Sequence, residues 1–265
     1  MISLYPPGVM PVRKELENGL EVNTDGAGFA IVVPEEWGDQ NDSQMLMAKD
    51  HENPGYTLDM FMNLREKYPE GPAVFHSRLS TGSAVSFANT HPVAVGGDPE
   101  TLLFHNGDLS TMISVAEGES DTVRLADDWL PHLDLDDWTH ADSIEWVMTR
   151  TGSKAVILTS NPRWQEQAYV YNRGQWLLTP GGALHSNPDY LGKGVGWDEM
   201  TLIQPPEGAG DGEAGDLWRY NLPQPGQCGR CNLFGHDEMT CERPRAKVPF
   251  RWRNESQRRR KVGTR

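Results

Sequence analysis

Residues 75–108 read FHSRLSTGSAVSFANTHPVAVGGDPETLLFHNGD, and the rest of the chain is organised around this stretch. Its two apolar runs predict strands, the first ending at Arg78 and the second leading into Asn106-Gly107. Thr81 follows the first run closely. The two strand ends therefore bring a guanidinium, a hydroxyl and a side-chain amide to one region. These groups suit a small zwitterionic ligand and a developing oxyanion.

The flanking sequence predicts an α+β fold. Upstream, the hydrophobic pattern predicts strands over residues 1–5, 28–33 and, weakly, 45–47, with helices over 12–20 and 57–68, the second capped by Thr57. Downstream, it predicts helices over residues 121–130 and 142–150, then strands over 155–159, 168–172 and 175–178, the last two linked as a hairpin by Asn172-Arg173-Gly174. Pairs of helices between groups of strands favour two layers of sheet covered by helices.

The charge of the chain is unevenly distributed. The 265 residues carry a net charge of −14, yet residues 228–265 hold 11 Lys/Arg and 4 Asp/Glu, a charge of +7, which leaves −21 on residues 1–227. A basic tail on an acidic body indicates a polyanionic partner for the tail. The same tail could instead serve solubility or fold back on the acidic body.

The sequence contains no signal that predicts contact with a membrane. No apolar run approaches the roughly 20 residues that a membrane span needs. Residues 1–16 lack a basic start followed by an apolar segment, which is the pattern of a secretory signal. A cytoplasmic location is therefore expected.

All three cysteines lie in one short C-terminal segment. The pattern Cys228-x2-Cys231-x4-His236-x4-Cys241 has the full spacing of a CCHC zinc knuckle. Three thiolates and an imidazole make a closed tetrahedral site for one structural Zn²⁺. So short a loop cannot bury a core, so metal binding is expected to supply most of its folding energy.

Zinc knuckles bind single-stranded RNA or DNA and stack bases on aromatic side chains. Gly229 stands where an aromatic residue usually follows the first cysteine, so a protein-binding or purely structural knuckle is an alternative. Phe234 remains as an apolar platform. The tail interleaves basic and aromatic residues, and its candidate nucleic-acid contacts are Arg243, Arg245, Lys247, Arg251, Trp252 and Arg253.

The N-terminal part resembles a known enzyme family, the class II glutamine amidotransferases, in their small stand-alone type from actinobacteria and phages. Four motifs follow one another as they do in that family: His76-Ser77-Arg78 with Thr81, Asn89-Thr90-His91-Pro92, His105-Asn106-Gly107 and Ser120-Asp121-Thr122. An early turn at residues 23–28 and a closing hairpin at 176–187 resemble further family features. The resemblance implies a four-layer αββα fold of the N-terminal-nucleophile (Ntn) hydrolases, with glutamine as substrate.

The residues fit the contacts that a glutaminase needs. Arg78 can grip the α-carboxylate of glutamine with its bidentate fork, Asp121 can neutralise the α-ammonium, and Thr81 can add a hydroxyl contact. Asn106 and the backbone of Gly107 resemble the family's oxyanion-stabilising pair.

Each of these residues also has an ordinary structural interpretation. Asn106-Gly107 between apolar runs is a strong hairpin signal, Asp121 suits a helix cap, and Arg78 suits a surface ion pair. For His76, His91 and His105, an orienting or structural role is favoured over a catalytic one. The order of the motifs nevertheless favours a site.

The family nucleophile is a cysteine at the mature N-terminus, whose own α-amine acts as the base. Here Ile2 follows Met1, and Ser3 is out of register. Two explanations stay open. Either the start is assigned too late, so that a Met-Cys pair precedes Met1, or the chain is a pseudoenzyme that keeps the pocket without the chemistry. The chain as written is expected to lack glutaminase activity.

The sequence thus predicts four parts: an amidotransferase-like domain over residues 1–203, an acidic Gly/Pro linker over 204–227, the knuckle over 228–241 and the basic tail over 242–265. The predicted function is release of ammonia from glutamine for an acceptor on a partner synthase, close to nucleic acid held by the knuckle. The alternative is an inactive Ntn-fold adaptor that binds single-stranded nucleic acid.

Overall fold

A computed structural model describes residues 1–34 and 43–193. In chain order, the helices and strands of these residues are β1 (Ile2–Tyr5), α1 (Arg13–Val22), β2 (Ala27–Val33), β3 (Gln44–Asp50), α2 (Pro54–Lys67), β4 (Ala73–Ser77), β5 (Val93–Val95), β6 (Asp98–Asn106), α3 (Asp121–Arg124), α4 (Trp138–Thr151), β7 (Lys154–Thr159), β8 (Ala168–Tyr171), β9 (Leu177–Leu178) and β10 (Leu184–His185). Helix α3 continues as a π-helical turn over Leu125–Trp129.

The first sheet has six antiparallel strands in the order β3-β2-β4-β1-β10-β9. Strand β1 therefore lies between β4 and β10, with Ile2 opposite His76 and Ser3 opposite His185. All four residues of β1 are buried. Because a one-residue slip would turn every side chain to the wrong face, burial fixes the register of this strand.

The second sheet has four antiparallel strands in the order β5-β6-β7-β8. Leu103 of β6 and Ile157 of β7 pack with Met148 of α4 in a core on one face. Side chains alternate along a strand, so Phe104 and Val156 point to the opposite face, where both are buried. That face meets the first sheet, since β6 and β7 lie against strands β1, β2 and β3.

The outer face of the first sheet is covered by α1 and α2. Leu16 of α1 and Phe61 of α2 share a buried core with Phe29 of β2 and Phe75 of β4. The layers therefore run from helices through two antiparallel sheets to helices. The predicted α+β class is confirmed for the described residues, whose sheets are antiparallel.

Arg65 fixes the turn that follows β1. This residue of α2 is fully buried, and its guanidinium donates to the carbonyl oxygens of Pro6, Val9 and Gly71. Burial lowers the pKa of Arg65 to about 10, which leaves it charged at neutral pH. A buried charge surrounded by carbonyl oxygens holds the turn rigidly, and with it the exit of β1.

Two predicted element boundaries were wrong. Helix α2 begins at Pro54 with Asn53 as its cap, because the Asn53 side chain accepts from Tyr56 N and proline is favoured in the first helical turn. Thr57 is therefore inside the helix and buried. Helix α4 begins earlier than predicted, at Trp138, where the Asp137 side chain accepts from Thr139 N.

The predicted hairpin between residues 168–172 and 175–178 was also wrong. Strand β8 belongs to the second sheet, whereas β9 pairs with β10 in the first. Asn172, at φ 54°, and the turn Arg173–Gln175 carry the chain from one sheet to the other. The closing hairpin expected near residues 176–187 does form, as the pair β9–β10.

The predicted linker, zinc knuckle and basic tail lie outside the described residues. None of the helices formed by residues 1–34 and 43–193 has the length and apolarity needed to cross a membrane.

Candidate active site

The first residue of the chain is enclosed in the first sheet. The Met1 α-amine donates to Ser77 O at 2.6 Å, and Ser77 N donates to Met1 O at 2.9 Å. The Met1 side chain packs on α1 so closely that a Cβ added to Gly19 would lie 2.3 Å from Met1 Cε. Burial lowers the pKa of the α-amine from 8.0 to about 5, although the Asp189 carboxylate opposes that shift.

Ser186 joins the start of β1 to the end of β6. Its Oγ accepts from Ile2 N at 2.8 Å and from Asn106 Nδ2 at 2.7 Å. One amide hydrogen of Asn106 is used in this way, and the second remains for a ligand. The hairpin interpretation of Asn106-Gly107 is wrong, because β6 pairs with β7, which begins only at Lys154.

Gly107 occupies a place that no other residue could fill without rearrangement. Its φ is 141°, and a Cβ built there would lie 2.2 Å from Ser153 Oγ. Glycine lets the backbone approach closely and adopt this conformation. The N–H of Gly107 thus follows directly on the anchored amide of Asn106.

Arg78 follows β4 and is 4% exposed. Its Nη2 donates to Ser83 Oγ at 2.7 Å and to Ala84 O at 3.1 Å, so the surface ion-pair interpretation is wrong. Its Nη1 is buried and has no hydrogen-bond partner within the described part of the chain. Burial lowers the pKa of Arg78, and Asp25 opposes that shift. The free edge of the guanidinium is therefore available to an anionic ligand.

Three histidines lie in one buried region near these groups. The rings of His76 and His91 are 4.2 Å apart, and burial lowers the pKa of both well below the usual value. Arg78 and the Met1 α-amine lower the pKa of both histidines further by repulsion. Burial also lowers the pKa of His105, whose Nδ1 hydrogen-bonds with Thr122 Oγ1 at 2.9 Å. All three histidines are thus neutral at pH 7.

Asn89 ties together the two loops beside the site. Its Nδ2 donates to Ala84 O at 2.9 Å and to Gly118 O at 2.8 Å, and its Oδ1 accepts from Ser120 N at 3.2 Å. Since Ala84 O also accepts from Arg78, the loop after β4, the loop before α3 and the guanidinium form one hydrogen-bonded unit.

Asp121 occupies the first turn of α3, but the cap of that helix is Ser120, whose side chain accepts from Val123 N. Asp121 Oδ2 accepts from Leu109 N at 2.6 Å, while Oδ1 has only a long contact of 3.4 Å with Thr122 Oγ1. The Asp121 carboxylate therefore fixes the chain after Gly107 and keeps one oxygen available.

Thr81 lies on the exposed loop after Arg78, and its side chain is not enclosed with the other predicted residues. That loop is anchored by Asp25, whose Oδ2 accepts from Ser80 N at 2.8 Å and whose backbone N donates to Arg78 O at 2.9 Å. Sequence reasoning singled out neither Asp25 nor Ser186. In the sequence, Asp25 was marked only as part of the turn at residues 23–28, and Ser186 only as part of the closing hairpin at 176–187.

Asn106 and Gly107 therefore lie beside the start of β1, because Ser186 Oγ accepts from both Asn106 Nδ2 and Ile2 N. Arg78 and the Met1 α-amine lie near the same place, and both lower the pKa of His76 by repulsion. Groups of three or more His, Cys, Asp or Glu that could hold a metal ion do not occur within residues 1–34 and 43–193. The predicted zinc ligands lie beyond that part of the chain, as do the predicted nucleic-acid contacts.

Comparison with known proteins gives distant structural likenesses alone, and 38 chains of solved structures match. No protein-family model matches the chain, and no curated protein matches it. A solved structure described as "structure of the allosteric regulatory enzyme of purine biosynthesis" is similar over 60% of this chain, with 16% identity and a TM-score of 0.37. This chain spans 35% of that structure, about a third of its length, and a likeness this distant does not establish a family.

Proposed function

We propose that residues 1–203 form a class II glutamine amidotransferase domain of the Ntn type, which releases ammonia from glutamine for an acceptor on a partner synthase. The proposal rests mainly on the hydrogen bonds at the start of β1. Its first backbone N–H and the Asn106 amide share Ser186 Oγ, while Met1 pairs with Ser77 next to Arg78. The order of layers, helices on both sides of two stacked sheets, supports the same proposal.

The nucleophile in this proposal is a cysteine that directly precedes Met1. In the register of β1 and β4, Ile2 lies opposite His76, so a residue placed before Met1 in the same strand would lie opposite Arg78. A peptide N–H at Met1 would keep the hydrogen bond to Ser77 O without burying an amine that can carry charge. Ser3 does not suit the role, since its Oγ is buried and hydrogen-bonds with His185 Nδ1 at 2.9 Å.

Substrate binding would use the groups that remain free. The unpartnered Nη1 edge of Arg78 suits the α-carboxylate of glutamine, and the less occupied Oδ1 of Asp121 suits its α-ammonium. Thr81 would add its hydroxyl from the loop that Asp25 anchors.

In the chemical step, the cysteine sulfur gives its proton to its own α-amine and attacks the side-chain amide carbon of glutamine. The carbonyl oxygen becomes an oxyanion, held by Asn106 Nδ2 and the Gly107 N–H, each contributing about 3 kcal/mol. The C–N bond then breaks, and the nitrogen leaves as ammonia with the proton from the α-amine. Water finally hydrolyses the thioester, which gives glutamate and restores the thiol.

The coding sequence upstream of Met1 tests where the nucleophile comes from. The proposal predicts an in-frame Met-Cys codon pair directly before Met1. A stop codon or an unrelated residue there would contradict a preceding cysteine. That result would favour the second candidate, a glutamine-binding adaptor without catalysis.

The proposal for the C-terminal part rests on sequence alone. We propose that Cys228, Cys231, His236 and Cys241 hold one structural Zn²⁺ and that the basic tail binds single-stranded RNA or DNA. Filter binding of a labelled oligonucleotide in a salt titration tests the second claim. Neutralised phosphates release counterions, so affinity should fall steeply as salt rises. Affinity that does not change with salt would contradict phosphate binding.

A further inference from the structure

Lys154 lies directly beside the candidate oxyanion site. It is the first residue of β7, and it is the register partner of Asn106 in β6. Opposite residues of an antiparallel pair point to the same face and have Cβ atoms about 5 Å apart. The Asn106 side chain reaches Ser186 of the first sheet, so this face lies between the two sheets. The side chain of Lys154 is therefore on the same face, next to Asn106.

The surroundings of Lys154 leave its charge uncompensated. The residue is 9% exposed, and it makes no hydrogen bond or ion pair with any residue in the described ranges 1–34 and 43–193. An enclosed ammonium without a counter-charge is costly. Burial lowers the pKa of Lys154, whose unpartnered Nζ nevertheless keeps some contact with solvent. A ligand can therefore reach that atom.

Asn106 and Lys154 both present hydrogen-bond donors at this place. Asn106 has one amide hydrogen left, and Lys154 offers an ammonium, whereas Ser186 Oγ already accepts two hydrogen bonds. Two donors, one of them charged, suit an anionic oxygen better than a neutral amide oxygen.

We propose that Lys154 and Asn106 form an anion subsite that holds a carboxylate or a developing oxyanion. The identification of that carboxylate as the side chain of glutamate rests on the proposed function, whereas the subsite itself does not. In the glutaminase reaction, Lys154 would contact the negative oxygen of the tetrahedral intermediates and the side-chain carboxylate of the product.

The test uses the full 265-residue chain and three probes, acetate, L-glutamate and L-glutamine, titrated separately and followed by NMR shifts. Lys154→Met removes the charge and keeps an apolar stem, while Lys154→Arg keeps the charge. Lys14→Met on the exposed face of α1 is the matched control for loss of one positive charge. Urea unfolding of each variant establishes that it is folded.

A charge-assisted hydrogen bond contributes roughly 1.5–3 kcal/mol, so Lys154→Met should weaken acetate and glutamate binding about 10- to 100-fold. Glutamine binding should change less than about threefold, since its side chain is neutral. Lys154→Arg should retain most of the affinity for both anions, and Lys14→Met should have no effect.

The outcomes separate the two proposals. Acetate binding that depends on Lys154, without binding of either amino acid, would keep the subsite and overturn the glutamine site. Amino-acid binding that Lys154→Met does not alter would overturn the subsite and keep the proposed function. A chain that binds none of the three probes would overturn both proposals. Equal losses of affinity for glutamate and glutamine in the Lys154→Met variant would overturn the subsite and leave Lys154 with a structural role.

Discussion

Asn106 Nδ2 donates to Ser186 Oγ at 2.7 Å, across 80 residues of chain. The same Oγ accepts from Ile2 N, so a single hydroxyl fixes both the amide that would stabilise an oxyanion and the strand that would carry the nucleophile. Preorganised donors are effective because they need no reorientation during the reaction. Ser186 is thus the residue on which the geometry of the proposed site depends most.

Replacing Ser186 by alanine should destabilise the fold and weaken the site. Ile2 N would lose its acceptor in a buried strand, which costs about 1–3 kcal/mol in the free energy of unfolding. Urea unfolding measures that loss. Ser143→Ala, which removes an exposed helical hydroxyl, is the matched control and should change stability by less than about 0.5 kcal/mol. Equal stability of the two variants would contradict the role of Ser186.

Replacing Arg78 by methionine should abolish most of the binding of glutamine. The guanidinium supplies charge-assisted hydrogen bonds, so affinity measured by calorimetry should fall about 10- to 100-fold. Arg78→Lys should recover part of it, because lysine keeps the charge but lacks the planar fork.

The control for Arg78 is Arg13→Met, which removes a guanidinium paired with Asp59 on the surface. Unchanged glutamine affinity in the Arg78→Met variant, alongside a normal unfolding curve, would rule out Arg78 as the carboxylate clamp.

The buried α-amine of Met1 predicts a pH dependence of stability. Its pKa is about 5 in the folded chain and 8.0 ordinarily, so the unfolded chain binds more protons between these values. The free energy of unfolding must therefore decrease as pH falls from 8 towards 5. His76, His91, His105 and His185, whose pKa values are also lowered by burial, act in the same direction, but mainly below about pH 7.

Between pH 8 and pH 7 the amine contributes most of the change, and its loss of stability there should be about 1 kcal/mol. Denaturant unfolding at the two pH values measures the change. A chain acetylated at Met1 should show only the smaller change due to the histidines, because its amide donates to Ser77 O at any pH. An equal slope with and without the acetyl group would contradict the assignment to this amine.

The C-terminal cysteines predict one zinc ion per chain. Elemental analysis of the purified full chain should give a zinc content near one per chain, and Cys231→Ser should lower it strongly because one of four ligands is lost. Mutating both Asp127 and Asp128 to alanine, within the π-helical turn, should leave the zinc content unchanged. Zinc that persists in the cysteine variant would contradict the knuckle.

Local patterns predicted the elements well and the long-range connections poorly. The apolar runs of β1, β2, β4, β6 and β7 marked buried strands, because burial on both faces leaves a continuous hydrophobic signal. Asn172-Arg173-Gly174 is a genuine turn, but a turn signal does not say which sheet the next strand joins. Nothing local in the sequence could show that Ser186 meets Ile2, since 184 residues separate them.

The residues of the candidate site also fall into two groups, those that local patterns marked and those that only the pairing of strands brings to the site. Asn106, Gly107 and Arg78 stood out because each ends or follows an apolar run, where a strand delivers a side chain to an edge. Lys154 did not stand out, because its relation to Asn106 arises only from the pairing of β6 with β7.

The most direct test of the account is the release of glutamate from glutamine by a chain that carries Met-Cys before Met1. Removal of the initiator methionine would leave cysteine as the first residue. The matched chains carry Met-Ser at the same place or begin at Met1 as written. We expect glutamate release by the cysteine chain alone, with a kcat that Asn106→Ala lowers about 100- to 1,000-fold. A cysteine chain that is folded and binds glutamine but releases no glutamate, or release by the chain as written, would contradict it.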